Sequence, residues 1–336
     1  MALVLNGRCL HRPVTGVERY ALQLQAALAR TGLPLRTITT RHAHGIAGHA
    51  WEQLLLPARL RRGDLLIGPA NTGPWSVRDQ VLVVHDLAWH HHPQWFTGPF
   101  GAWYRWLIPA LLPRVRGILT VSGTVAGELA GCFPRTAGRI HVVPPAAAAH
   151  PAPPAAPDAP PFFLFVGPAD PRKDVATFQR AFALLREQHP QARAVVVGGA
   201  GSVFARPHHA PGPNESWTGR VDDAALRDLM RRATALVMPS LYEGFGLPVL
   251  EAMACGCPAI TSDIAVFRDV YGEAVLRVPA GDAATLAHAM TRLADDPRLR
   301  TTLVQRGAAC RARFSLEAQD AALRRALEAL APELFG

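Results

Sequence analysis

Residues 235–263 read ALVMPSLYEGFGLPVLEAMACGCPAITSD, and the parse of this stretch decides the fold. Leu236–Met238 is a short, wholly apolar run, as expected at the end of a strand covered on both faces. Pro239 to Gly246 forms the loop that follows, where Gly244 and Gly246 permit a tight turn and present backbone N–H groups. Pro248 suits the first turn of a helix, and the pattern carries that helix over 247–255 before a second apolar strand at 258–261. Strand, glycine loop, helix and strand in this order build a parallel sheet with helices on its faces.

The same rhythm extends in both directions. Toward the C-terminus, strands are predicted at 162–166, 193–198 and 273–278, with helices over 173–188, 222–232 and up to about 295. Toward the N-terminus, ALVLNG opens as a strand and GVERYALQLQAALAR follows as an amphipathic helix. Further strands are predicted at Pro34–Thr39, Asp64–Ile67, Gln80–Val84, Gly117–Val121 and Arg139–Val143. Between the two series lies VVPPAAAAHPAPPAAPDAPP, residues 142–161, whose dense proline excludes a regular helix or an internal strand and reads as a semi-rigid connection. The fold class is therefore α/β, with two doubly wound, Rossmann-like parallel-sheet domains over 1–150 and 160–312. The crevice between such domains is the expected ligand site. A long helix at about 315–330 is a candidate to pack back onto the first domain.

Composition narrows the function classes. Of 336 residues, 49% are hydrophobic, yet no uninterrupted apolar run reaches membrane-spanning length. The opening MALVLNGRCLHR reads as a first strand rather than a secretory leader. Five cysteines in mostly apolar contexts suggest reduced thiols and a cytoplasmic setting. Residues 1–150 carry 15 Arg against 6 Asp or Glu, whereas 151–336 carry 20 of each sign, so the whole excess of +9 lies in the first half. A basic half can face nucleic acid, anionic lipid or a phosphorylated substrate; no nucleic-acid-binding motif accompanies it. Trp89, Trp95, Trp103 and Trp106, interleaved with Tyr104, Arg105, Arg114 and Arg116, suit peripheral contact with the inner face of a membrane, or packing into the domain core.

Lys173 is the single lysine among 35 basic residues, placed just after the strand at 162–166. Its compact ammonium suits a point-charge contact with phosphate. The glycines of 244–246 and the helix behind them can hold a diphosphate through backbone N–H groups. Glu251, expected on the first turn of that helix, can accept hydrogen bonds from ribose hydroxyls, and Glu243 from a sugar on the other side.

With these residues in view, the chain resembles the retaining GT-B glycosyltransferases of family 4, the glycogen synthase-like and mannosyltransferase-rich group. The resemblance covers nearly the whole chain and is strongest from Phe162 to Asp263. Its two glutamates separated by seven residues appear as Glu243 and Glu251. The resemblance implies that Glu251 binds the nucleotide ribose. It implies that Glu243 and the amides around Phe245, Gly246 and Leu247 handle the donor sugar. Arg172-Lys173 corresponds to the family's phosphate-binding pair, although Pro168 stands after Gly167 where many members have an Arg. Trp217-Thr218-Gly219-Arg220-Val221 resembles the loop lining the nucleobase pocket. Thr15-Gly16 resembles the N-terminal glycine loop that approaches the donor phosphates, with Arg12 and Arg19 as candidate anion contacts. His85, ahead of Asp86 at the end of VLVV, is placed by the resemblance near the reacting sugar.

The resulting expectation is a metal-independent transfer of a hexose, mannose favoured, from GDP-mannose or next UDP-glucose. The acceptor is expected to be a saccharide or a polyprenyl-diphosphate-linked saccharide of a bacterial surface polysaccharide. A non-catalytic nucleotide-sugar-binding protein, an epimerase or a phosphorylase on the same fold are the alternatives. His90-His91-His92 invites a metal reading, but consecutive histidines diverge and no carboxylate cluster accompanies them. Gly198-Gly199-Ala200-Gly201 lacks the dinucleotide fingerprint and reads as a turn.

Overall fold

The computed structural model describes residues 2–150, 160–168, 170–198 and 210–335. Two compact units emerge, the first made of Met1–His91, Gly98–Ala146 and Phe314–Gly336, the second of His92–Thr97 and Ala147–Arg313.

The first unit is a six-stranded, all-parallel sheet of β1 (Ala2–Asn6), β2 (Leu35–Ile38), β3 (Asp64–Gly68), β4 (Gln80–Val84), β5 (Gly117–Thr120) and β6 (Ile140–Val142). Its order is β2-β1-β3-β4-β5-β6. Leu3, Leu5, Leu65, Ile67, Val81 and Val83 are fully buried, the result of helices covering both sheet faces. The C-terminal helix Leu316–Leu330 belongs to this unit. Arg30 clasps Asp320 with two hydrogen bonds of 2.6 and 2.7 Å, and Arg116 Nε donates to the Leu330 carbonyl at 2.7 Å.

The second unit holds β7 (Phe162–Val166), β8 (Arg193–Val197), β9 (Glu215–Gly219), β10 (Ala235–Met238), β11 (Ala259–Ser262) and β12 (Leu276–Val278), again all parallel. The order is β12-β11-β10-β7-β8-β9, so the chain reverses its direction of travel between β7 and β10. In such sheets ligands bind outside the carboxyl ends of the strands flanking that point. Phe163, Phe165, Phe178, Phe182, Val237, Ile260 and Met290 make the core. Phe178 and Phe182 sit one turn apart on helix Val175–Gln188 and stack at 6.2 Å, which fixes that helix against the sheet.

Three expectations need correction. The helix predicted from residue 173 begins at Val175; Pro171–Lys173 is a separate 3₁₀ turn, because Asp170 and Asp174 each cap the N–H three residues on and Asp174 takes the left-handed conformation at φ 50°. The segment from Trp217 to Gly219, read as loop, is the end of edge strand β9. Gly272–Ala274 forms a 3₁₀ turn, leaving only Leu276–Val278 of the strand expected at 273–278. Helix Pro297–Ala312 was not anticipated. Residues 151–159 of the proline-rich connection and Gly199–Gly201 lie outside the described residues. No helix among the described residues is long and apolar enough to cross a membrane.

Candidate active site

At the reversal point of the second unit, the chain leaves β7 through Gly167 and enters the Pro171–Lys173 turn. Gly167 has φ 152°, and the Lys173 side chain runs across it: a Cβ there would lie 3.2 Å from Lys173 Cε. Lys173 is thereby directed inward, with 6% exposure. From the neighbouring loop after β10, Glu243 meets it. Lys173 Nζ donates to Glu243 Oε1 at 2.6 Å, and Arg172 Nη1 donates to Oε2 at 3.0 Å. The Leu241 N–H donates to the Arg172 carbonyl at 2.8 Å, joining the two loops. Three residues singled out in the sequence therefore form one buried cluster.

A fourth member was missed. Asp170 is 2% exposed; one carboxylate oxygen accepts the Lys173 N–H at 3.2 Å, and the other has no hydrogen-bond partner. Its spacing to Lys173 is that of a capping aspartate, the one sequence signal that marks it. Burial pushes its carboxyl above the ordinary value against the pull of Arg172 and Lys173. Burial would do the same to Glu243, but Arg172 and Lys173 outweigh it and hold that carboxyl below its ordinary value. Burial also lowers the Lys173 ammonium. A site with two cations and a displaceable carboxylate can exchange the carboxylate for phosphate oxygens.

The glycine loop is braced from behind. Gly246 has φ 85°, and a Cβ would come within 2.5 Å of Phe267, so only glycine fits. The Tyr271 hydroxyl donates to the Gly246 carbonyl at 2.9 Å, and Phe245 packs edge-on to Tyr271 at 5.9 Å. The Ser262 hydroxyl donates to the Ser240 carbonyl. Helix Leu247–Ala254 starts directly after Gly246, with Pro248 in its first turn as expected. Glu251 is its fifth residue and half-buried, one step beyond the first turn where it was expected, although the helix starts at Leu247 as predicted. At the far side Gly219 closes β9 at φ 68°, after Thr218 and ahead of Arg220. The Gly198 N–H donates to the Gly219 carbonyl at 2.9 Å.

In the first unit, Thr15 and Glu18 form a capping box that starts helix Gly16–Arg30, and the space around Gly16 is open. Arg12 Nε donates to the Ala43 carbonyl at 2.7 Å, while Arg19 is half-buried on the helix. His85 follows β4 and is 8% exposed. Its Nε2 is 2.7 Å from the Pro69 carbonyl, its backbone N–H donates to Asn71 Oδ1 at 2.8 Å, and Tyr20 packs edge-on at 5.1 Å. Burial holds the imidazole below its ordinary pKa, so it is neutral at pH 7. Asp86 caps the short helix behind it through the Ala88 N–H at 3.0 Å. Trp89 and Trp95 are buried, and Trp106 is 59% exposed. His90 packs against Trp89 and meets the His91 ring edge to face at 5.2 Å, His91 lies 3.5 Å from Glu128, and His92 stacks on Trp95. No group of three or more His, Cys, Asp or Glu among the described residues could hold a metal.

Known proteins resemble this chain in sequence and fold. Residues 148–309 match the family described as glycosyl transferases group 1. An O-antigen chain mannosyltransferase B of Escherichia coli is 29% identical over 94% of this chain and 97% of its own. A phosphatidyl-myo-inositol mannosyltransferase of Mycobacterium leprae is 34% identical, covering 50% of this chain and 46% of its own. Among solved structures, a sucrose-phosphate synthase from Thermosynechococcus elongatus superposes with a TM-score of 0.74 at 21% identity, over 99% of this chain and 98% of that one.

Proposed function

Since the chain is a GT-B glycosyltransferase related to the glycosyl transferases group 1 family, moving a sugar from a nucleotide-sugar donor to an acceptor in polysaccharide-type synthesis, we propose that the sugar is mannose. GDP-mannose is the first donor to test and UDP-glucose the second. The observation that carries the donor site is the buried meeting of Lys173, Arg172 and Glu243 at the reversal point of the second sheet. The hard step is departure of the nucleoside diphosphate as positive charge develops on the sugar. Lys173 and Arg172 stabilise that leaving group, aided by the N-terminus of helix Leu247–Ala254. Arrival of the diphosphate frees Glu243 from its two cations for the donor sugar, with the amides around Phe245, Gly246 and Leu247. Glu251 takes the ribose hydroxyls, and Thr218, Gly219 and Arg220 border the base. The family resemblance assigns Gly16 to the donor phosphates and neutral His85 to orienting the reacting sugar. With two cations and a helix N-terminus against the diphosphate, no divalent metal is required. The mannosyltransferase named above, alike over nearly its whole length, supports mannose, and the resemblance to the retaining family 4 enzymes supports a retained anomeric configuration.

The acceptor is a saccharide, free or polyprenyl-diphosphate-linked, and the enzyme works at the cytoplasmic face of a membrane. Support for that location comes from helix Gly45–Ala50 and its continuation Trp51–Leu55, which expose Ile46 (90%), Leu54 (72%) and Leu55 (53%). Arg41, Arg59, Arg61 and Arg62 flank this apolar stripe, and Glu52, the one acidic residue between them, points inward with 1% exposure. An apolar stripe bordered by arginine suits acidic lipid. The decisive experiment presents a panel of nucleotide sugars to the purified protein and reads released nucleotide and a longer saccharide. An isomerised nucleotide sugar would identify an epimerase, and binding without turnover across all donors and acceptors a binding protein.

A further inference from the structure

The first sheet also has a reversal point, between β1 and β3, and a buried polar network fills it. Glu52, 1% exposed, is the hub. One of its oxygens accepts from Asn6 Nδ2 at 2.7 Å and lies 3.3 Å from Arg8 Nε; the other accepts from the Thr72 hydroxyl at 2.8 Å. Arg8 Nη2 donates in turn to Thr72 Oγ1 at 3.1 Å. Asn6 ends β1, Arg8 lies in the turn after it, and Thr72 is in the loop after β3, so the carboxylate joins its own helix to two other segments. The next residue of the helix extends the grip: Gln53 Nε2 donates to the Gly73 carbonyl at 2.9 Å. Gly68 and Gly73 leave no room for a side chain, so the loop between them is packed from both ends.

That loop holds His85 twice, through the Pro69 carbonyl on the ring and Asn71 Oδ1 on the backbone N–H. A carbonyl oxygen only accepts, so the proton sits on Nε2 and Nδ1 is left as the ring's acceptor. The neutral ring could otherwise exchange between two tautomers of similar energy. Asn71 reaches its position through a left-handed backbone at φ 64°, a conformation that persists only where the surroundings fix it.

We propose that Glu52 and Thr72 are positioning residues for the glycosyl transfer: they lock the 69–72 loop so that His85 meets the sugar as a hydrogen-bond acceptor through Nδ1. The proposal rests on the role given to His85 above. In wild-type protein labelled with ¹⁵N-histidine, the neutral His85 ring shows the Nε2–H tautomer at pH 8. Thr72→Val keeps the volume but removes both hydroxyl bonds. It mixes the tautomers and lowers kcat about tenfold, with KM for the donor within about twofold of wild type. Thr72→Ser restores both the spectrum and kcat. Should Thr72→Val fold poorly, Asn71→Gly keeps the left-handed backbone while removing the acceptor for the His85 N–H, and produces the same split. Full kcat with an unchanged tautomer in a folded Thr72→Val protein overturns the inference. Full kcat in His85→Ala overturns the reading beneath it, whereas loss in His85→Ala with none in Thr72→Val or Asn71→Gly overturns the inference alone.

Discussion

Both sheets place buried opposite charges where their strand order reverses, yet the two clusters are built for different ends. In the first unit Glu52 is held by Asn6, Arg8 and Thr72, all within one hydrogen-bonded web that leaves the carboxylate nothing to exchange. In the second, Glu243 is held by two cations from one short turn, and Asp170 beside them keeps an oxygen without a partner. A web that satisfies its own carboxylate fixes geometry; a cluster with two cations on one carboxylate, and a second carboxylate beside them with an unpartnered oxygen, is prepared for another anion. The difference predicts that charge changes in the second unit alter chemistry first, and those in the first unit alter alignment or folding first.

The largest effect is expected from Lys173→Met. Removing the buried ammonium takes away a contact to the leaving diphosphate, and turnover falls on the order of 10² to 10³-fold with the fold intact. Nucleotide release at saturating donor, alongside circular dichroism, checks this. Turnover at the wild-type rate would remove the phosphate role and with it the contrast between the clusters.

Gly246→Ala comes next. The new methyl meets Phe267 and the residue must hold φ 85°, together costing about 2–4 kcal/mol. Urea unfolding should place that loss in the second unit, with donor affinity weakened as well because the glycine loop shifts. Unchanged stability would mean that Phe267 gives way, and that the loop is less firmly braced than the clash distance implies.

Legibility followed the same division. The second unit could be read because its function is carried by residues close in sequence: glycines, a proline and two glutamates within one strand–loop–helix segment. Lys173 stood out by being the only lysine. What failed there failed for local reasons. The stretch ESWTG alternates polar residues because β9 is an edge strand, and PRLRTTLVQRGAACRA shows little apolar periodicity although it is helical. Glu251 was misplaced by one step although the helix start was read correctly: a turn holds 3.6 residues, so the fifth residue already belongs to the second turn. In the first unit His85 was found, but only through resemblance. Its supporting web was invisible because Asn6 and Glu52 are 46 residues apart and meet only in the folded sheet. The Trp-rich stretch was half legible: its composition suggested a surface, while the exposed stripe lies on the helix of Ile46 and Leu54 instead.

Acid should separate the two units. In the first, His49 sits 19% exposed with Nδ1 accepting from Trp103 Nε1 at 3.2 Å. Burial, with Arg8 and Arg12 nearby, lowers its pKa to about 4. A histidine depressed in the folded state binds its proton more readily when unfolded, so stability is full above pH 6.5 and is lost as pH falls toward about 4. In the second unit Asp170 is raised, so protonation on acidification favours the folded form, opposing any loss there. At pH 5 the folding equilibrium of the first unit is expected to drop on the order of tenfold relative to pH 7. His49→Gln, which keeps an acceptor for Trp103, should reduce the drop, leaving the part that the buried His85 contributes in the same direction. Equal loss in both units, or no change with His49→Gln, would erase the contrast in acid response.

The smallest effect concerns the membrane. Ile46 and Leu54 lie on one exposed face of the same helical segment whose Glu52 points inward, so one element both anchors the first unit's web and carries its apolar stripe. Partial insertion of one such side chain, with arginines over acidic headgroups, contributes about 1 kcal/mol. Ile46→Glu should therefore weaken co-sedimentation with phosphatidylglycerol vesicles about fivefold, leave binding to phosphatidylcholine vesicles weak throughout, and spare kcat on a water-soluble acceptor. Because the substitution is exposed, loss of binding with an unchanged melting temperature assigns the effect to the surface. Equal binding of wild type and variant would instead move the lipid contact to Trp106, or remove it from the first unit altogether.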